Sequence, residues 1–273
     1  MKGLFYLSKE SENSFYDFHP YHYGPYSLVV DLDCKALANK TFIEIKGRSI
    51  EAKLGQEQRK RILDDVGSGN LYKLSNIANR VNNKDFDKLL DALYEEYPYF
   101  AINNQKKNKL YKKFDPRLDS AKQTAGIFTV GYEGVSVDQF FNNLIQNNIT
   151  TLVDVRHNPR SMKYGFTEST LKKLCQDRRV EYVSVKNLGI PGKLRQELNT
   201  QADYDLLFSD FEKQHMPKVK NELSYLKKLL DQNKRLALMC FEKDTCCCHR
   251  TIVANHLFDY CEKKYDLIHI PTA

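Results

Sequence analysis

Residues 150–161 read TTLVDVRHNPRS, and residues 235–250 read RLALMCFEKDTCCCHR. Each stretch begins as a short apolar run and then turns abruptly polar and charged. Runs of four to eight residues that are apolar on both alternating faces belong to strands buried on both sides of a sheet. Working outward, a further apolar run stands at 127–130 and further strands are expected at 180–185 and 266–270, and they alternate with helical spacing at 137–146, 168–177, 217–232 and 251–263. Strands alternating with helices predict an α/β fold, a mostly parallel Rossmann-like sheet flanked by helices. In such sheets, ligands bind outside the carboxyl ends of the strands. That rule places the functional site before any motif is invoked.

Upstream the pattern is different. Helical spacing is expected at 1–7, 28–38, 56–65, 71–79 and 84–97, with one or two short strands at 41–50 and an aromatic, turn-rich stretch at 15–27. Several helices with a small hairpin suit a winged-helix-like domain. Residues 103–110 are polar and basic, and 114–124 is a polar stretch holding Pro116, so the pair reads as a linker. The expected organisation is a helix-rich domain at 1–102, a linker at 103–125 and an α/β domain at 126–273.

Bulk properties bound the function classes. The 273 residues carry a formal net charge of +7, with Lys and Arg spread along the chain rather than packed into one run. A mildly basic surface permits nucleic acid or another polyanion as partner without requiring it. No segment approaches the ~18 apolar residues of a membrane-spanning helix, and the first residues lack a signal-peptide core. The expectation is a cytoplasmic protein with no membrane partner. Seven Cys is an odd count, and Cys246, Cys247 and Cys248 are consecutive, so no disulfide framework is expected.

The strand ends supply the candidate residues. Gly131 and Tyr132 close the first strand, and their neighbourhood lets a backbone approach a ligand closely. Asp154 and Arg156 are two apart on a strand and so share a face. They either pair with each other or face a ligand together. Arg156, Arg160 and Arg250 bring guanidinium forks, which suit carboxylate or phosphate oxygens. His157 and Ser161 lie in the same loop and are candidate hydrogen-bonding groups. Cys248 precedes a helix, where a thiol's pKa falls, and His249 is its candidate partner. Glu242 is a further candidate acid or base. Consecutive residues cannot all reach one ion and the C-x2-C spacing of a zinc knuckle is absent, so neither a metal nor a cofactor is expected.

TVGYEG, LVDVRHNPRS, YGF, the Tyr182 strand followed by NLG, and LMCFEKDTCCCHR stand in an order that resembles the domain-of-unknown-function 488 family. The resemblance covers about 127–270. It implies an α/β domain with a shared polar site at Gly131, Tyr132, Asp154, Arg156, Pro159, Ser161, Glu242, Cys248, His249 and Arg250, and it implies no reaction. The stretch YDFHPYHYGPYS, residues 16–27, is similar to winged-helix modules of phage- and toxin-associated proteins, which implies an interaction module for DNA or a protein.

The expected function is therefore an anion- or phosphate-binding site. One class is an enzyme acting on nucleotides or nucleic acid, with Asp154, Glu242, Cys248 and His249 as catalytic groups and Gly131, Tyr132, Arg156, His157, Arg160, Ser161 and Arg250 as ligand-binding groups. The other classes are a non-enzymatic DNA-binding regulator sensing a small anion, and an antitoxin-like or defence interaction module. The expected partners are nucleic acid or a nucleotide, and a protein met through the N-terminal domain.

Overall fold

The computed structural model describes residues 1–11, 15–47, 49–82, 85–104, 109–119, 123–195, 198 and 200–271. The chain divides into two compact units, Met1–Asp115 and Pro116–Ala273. Of the expected linker, 105–108 and 120–122 lie outside the described residues, as do residue 48 of the expected strands and residue 84 at an expected helix start.

The first unit is helix-rich. It runs α1 (Lys2–Glu10), β1 (His19–Tyr21), β2 (Gly24–Tyr26), α2 (Leu28–Asn39), β3 (Ile43–Lys46), β4 (Ser49–Ala52), α3 (Gln56–Val66), α4 (Ser68–Asn82) and α5 (Phe86–Glu96). The strands form two separate antiparallel hairpins. Its core is aromatic: Phe5 meets Phe18 edge-on at 5.3 Å and Phe100 at 4.8 Å. The aromatic stretch read as turns thus closes as the β1–β2 hairpin, with Gly24 at φ +89° making the reversal. In the exposed β3–β4 hairpin, the Lys46 and Lys53 ammonium groups pair with Glu44 and Glu51.

The second unit is α/β. Its elements are β5 (Gly126–Gly131), α6 (Val137–Gln146), β6 (Thr151–Asp154), α7 (Glu168–Asp177), β7 (Glu181–Ser184), α8 (Gln201–Asp210), α9 (Lys220–Asp231), β8 (Arg235–Cys240), α10 (His249–Tyr260) and β9 (Asp266–His269). The sheet order is β7-β6-β8-β5-β9, and every pairing is parallel. Counted within the unit, the fourth strand stands between the first and second. That departs from the 3-2-1-4-5 order of dinucleotide-binding sheets.

Alternation along the strands assigns their side chains to two faces. Ile127, Val153, Val155, Leu236, Leu238 and Cys240 pack in one cluster with leucines of α9 and with Val253, Ala254 and Leu257 of α10. Phe128, Leu152, Asp154 and Met239 therefore point to the opposite face. Helix α8 was not expected from the sequence. It has no buried residue, so no apolar stripe announces it, although Thr200 and Asp203 form a capping box at its start.

No helix among the described residues is long and apolar enough to cross a membrane.

Candidate functional site

The carboxyl ends of β6, β8 and β5 are neighbours. Asp154 stands in register with Met239, and Gly131 with Cys240. The chain beyond β8 folds across the end of β5: the amides of Tyr132 and Glu133 both donate to the Phe241 carbonyl, at 3.1 and 2.9 Å. This crossing explains Gly131. A Cβ there would stand 2.1 Å from the Glu242 carbonyl oxygen, so the space that glycine frees is filled by the loop after β8. Gly189 plays a similar part, since its Cβ would stand 2.1 Å from the His157 amide nitrogen.

On the face that carries Asp154, the polar groups are consumed by one another. Asp154 Oδ1 accepts from the Arg156 amide at 3.1 Å and from Nε at 2.8 Å, while Oδ2 accepts from Nη2 at 2.6 Å and from the Tyr182 hydroxyl at 2.7 Å. Arg156 Nη1 donates to the Tyr132 hydroxyl at 2.8 Å and to the Phe166 carbonyl at 2.9 Å. Tyr132 stacks on Phe166, with ring centroids 4.2 Å apart. Burial works against the charge on Arg156, yet Asp154 outweighs it and holds the guanidinium above its ordinary pKa. Tyr182 is pushed up by burial and then by the charge of Asp154.

Arg250 is likewise buried and committed. Its Nη1 donates to the Glu242 carbonyl, and its Nη2 donates to the Lys243 carbonyl at 2.9 Å. Its buried Nε has no hydrogen-bond partner among the described residues. Two of the three arginines expected to face a ligand thus hold the framework together. Arg160 is different: it is exposed, and no protein group among the described residues engages it.

The other face carries a second cluster. Donor atoms of Cys240, Glu242, Cys248 and His249 lie within 4.8 Å of one another. Cys240 Sγ and Cys248 Sγ both donate to the same carboxylate oxygen, Glu242 Oε2, at 2.9 and 3.0 Å. Glu242 Oε1 accepts from Arg195 Nη1 at 2.9 Å, and Arg195 Nη2 lies 2.8 Å from His249 Nδ1. A guanidinium only donates, so Nδ1 offers a lone pair and the ring proton sits on Nε2, which donates to the Val155 carbonyl at 3.1 Å. Cys240 Sγ stands 3.7 Å from the same Nδ1.

Electrostatics separates the two thiols. Burial raises Cys240, but the hydrogen bond with Cys248 and the contact with His249 outweigh it, leaving Cys240 well below an ordinary thiol. Burial, and then the hydrogen bond with Cys240, push Cys248 well above one. For Arg195, burial opposes the charge and Glu242 with both thiols more than restores it. Burial also disfavours charge on His249 while a Cys240 thiolate favours it and pulls the ring upward. The Arg195 contact selects the neutral tautomer.

A cavity of about 500 Å3 opens over these strand ends. Cys240 and His249 line it, as do Tyr132, Arg156, His157, Arg160, Ser161, Lys163 and Arg195. Asp154, Cys248 and Arg250 do not line it. Ser161 Oγ accepts from the Lys163 amide at 3.1 Å, and Lys163 Nζ donates to the Tyr132 carbonyl at 2.7 Å. Burial lowers the Lys163 pKa.

Cys240, Lys163 and Arg195 were missed in the sequence. Cys240 is the last residue of β8, so the strand-end rule would have found it had the apolar run not hidden it. Arg195 ends the short turn Gly192–Arg195, and no periodicity or spacing marks it.

The C-terminal unit is thus an all-parallel α/β domain with a polar crevice at its strand ends. Residues 136–257 of the chain match the family model described as "Domain of unknown function DUF488". The C-terminal unit is similar to that family over a stretch that includes Asp154, Arg156, Arg195, Cys240, Glu242, Cys248, His249 and Arg250, while Gly131 and Tyr132 precede it. No curated protein and no solved structure matches the chain.

Proposed function

We propose that the C-terminal unit is an enzyme that takes an anionic, phosphate-bearing substrate of about nucleotide size into the strand-end cavity. The substrate's anion is held by Arg160, Lys163 and Arg195, and its reacting end is brought over Cys240 and His249. One observation carries this: an exposed guanidinium with no partner among the described residues, Arg160, lines the same cavity as the Cys240–His249 floor. Pockets of ~300–1,000 Å3 with a few convergent polar groups and perturbed titratable groups are where small substrates bind. In this scheme Asp154, Arg156 and Tyr132 are positioning residues that set the cavity wall. A DNA-binding role for the first unit draws no support from its exposed hairpin, whose Lys46 and Lys53 are already neutralised by Glu44 and Glu51.

The test is calorimetric titration of inorganic phosphate and of AMP into the full chain in buffer with chelator, repeated with R160M and K163M. Wild type binds at least one of the two anions. Loss of Arg160 weakens binding about tenfold or more, the value of a charge-assisted hydrogen bond. Absence of binding at millimolar concentrations, or affinity unchanged from wild type in both R160M and K163M, overturns the anion site.

A further inference from the structure

We propose that Cys240, Glu242, Cys248 and His249 form a binding site for a borderline-soft divalent cation, Zn2+ being the ion whose donor preferences they match. The sequence argued against a metal because 246–249 are consecutive. The structure reaches the four donors differently: two come from the end of β8 and the residue but one beyond it, and two from the start of α10.

Three independent features support the site. The first is the donor set and its size. Two sulfurs, an imidazole nitrogen and a carboxylate oxygen are the ligand types of tetrahedral zinc. Around such an ion, donors at about 2.0–2.3 Å from the metal stand roughly 3.3–3.8 Å from one another. Here Cys240 Sγ and His249 Nδ1 are 3.7 Å apart, and all four donors fall within 4.8 Å. Only shifts of about an ångström close the shell.

The second feature is the histidine. His249 turns its bare Nδ1 toward the cluster and donates its Nε2 proton to the Val155 carbonyl at 3.1 Å. Metal-binding histidines are oriented in this way, with the far ring N–H held by a carbonyl or carboxylate. The third is the division of labour on Glu242. Oε1 is held from outside by Arg195, and Oε2 is the oxygen that faces both thiols. Arg250 fixes the backbone that carries it by holding the carbonyls of Glu242 and Lys243.

Arg195 is the competitor. Its Nη2 uses the lone pair on His249 Nδ1 that an ion would take. Loading therefore exchanges that one hydrogen bond for a metal bond, while the bond from Arg195 Nη1 to Glu242 Oε1 can persist. Each thiol that ligates gives up its proton to solvent, so binding releases protons and tightens as pH rises. The site stands apart from the anion reading, since it needs only the four donors and no cavity occupant.

The experiment uses the full chain, reduced and freed of metal. Co2+ is titrated in without any anion, and Zn2+ is then added to displace it. The expected result is a sulfur-to-cobalt charge-transfer absorption that saturates at one ion per chain and vanishes on adding Zn2+. The C246A/C247A double variant keeps the signal, because those thiols lie outside the cluster. C240A and E242Q lose or alter it. X-ray absorption of the zinc-loaded wild type needs no variant, and it shows two sulfur and two nitrogen or oxygen neighbours. No stoichiometric binding, a signal abolished by C246A/C247A, or an all-sulfur shell overturns the proposal. A metal signal without phosphate binding would sink the anion site alone, and the reverse would sink the metal site alone.

Discussion

On one face of the sheet end, Asp154 accepts four hydrogen bonds, three from Arg156 and one from Tyr182. On the other, Cys240 and His249 line a cavity and face a single guanidinium that only donates. Both faces use charged residues at the ends of adjacent strands; Asp154 and Arg156 are buried, whereas Glu242 and Arg195 are partly exposed. They differ in what is left over. Every oxygen lone pair of Asp154 that geometry offers is engaged within the protein, so this pair can shape a wall but has little capacity to bind anything else. The Cys240 side holds two thiols crowding one carboxylate oxygen, and a histidine Nδ1 that faces both Arg195 and Cys240. Chemistry needs such uncommitted capacity. A saturated ion pair serves the fold instead.

The largest effect is expected of D154A. It strands Arg156 as an uncompensated charge in a buried place, and loss of one member of such a pair costs about 3–5 kcal/mol. Hydrogen exchange of the β6 and β7 amides in the full chain reads this unit by itself. Those amides should exchange faster by the corresponding factor. A change below about 1 kcal/mol, within the range of unremarkable substitutions, would mean that Asp154 is not the framework group described above.

A smaller effect is expected at the crossing between the two faces. G131A puts a Cβ where the Glu242 carbonyl stands, 2.1 Å away. The loop after β8 must shift, which in a packed interior costs about 1–3 kcal/mol. The same shift moves Glu242, so this variant should disturb the Cys240–Glu242–Cys248 contacts as well. If G131A is as stable as wild type and keeps metal and anion binding unchanged, the loop does not depend on that glycine.

How far the sequence reaches follows from the same distinction. The three central strands were legible because they are apolar on both faces, and the other two expected strands became the partly exposed edges β7 and β9. The strand-end rule then located the crevice. Side-chain commitment was not legible: nothing in the spacing of Asp154 and Arg156 says that Tyr132 and Phe166 will take both donors of Nη1. Cys240 went unread for the opposite reason, since an apolar run absorbs a cysteine without a trace. Arg195 comes from a turn far along the chain, and only the fold brings it to Glu242. Helix α8 was missed because its apolar residues Tyr204, Leu206, Leu207 and Phe208 do not gather on one face and none is fully buried, and periodicity has nothing to report there.

The finest test of the comparison is the variant expected to change stability least. C240A removes one sulfur from the end of β8, with the side chain otherwise replaced by a smaller apolar group. In metal-free protein its cost should be about 1 kcal/mol, the value of one buried methyl-sized deletion. The partners it leaves behind are not orphaned: Glu242 keeps Arg195 and Cys248, and His249 keeps Val155 and Arg195. The same substitution removes one of the four proposed metal donors, so cobalt and zinc binding should collapse while exchange of the β8 amides changes little. A loss of protection as large as that of D154A would place Cys240 in the framework with Asp154. The two faces would then differ in residue type alone and not in what they leave available for chemistry.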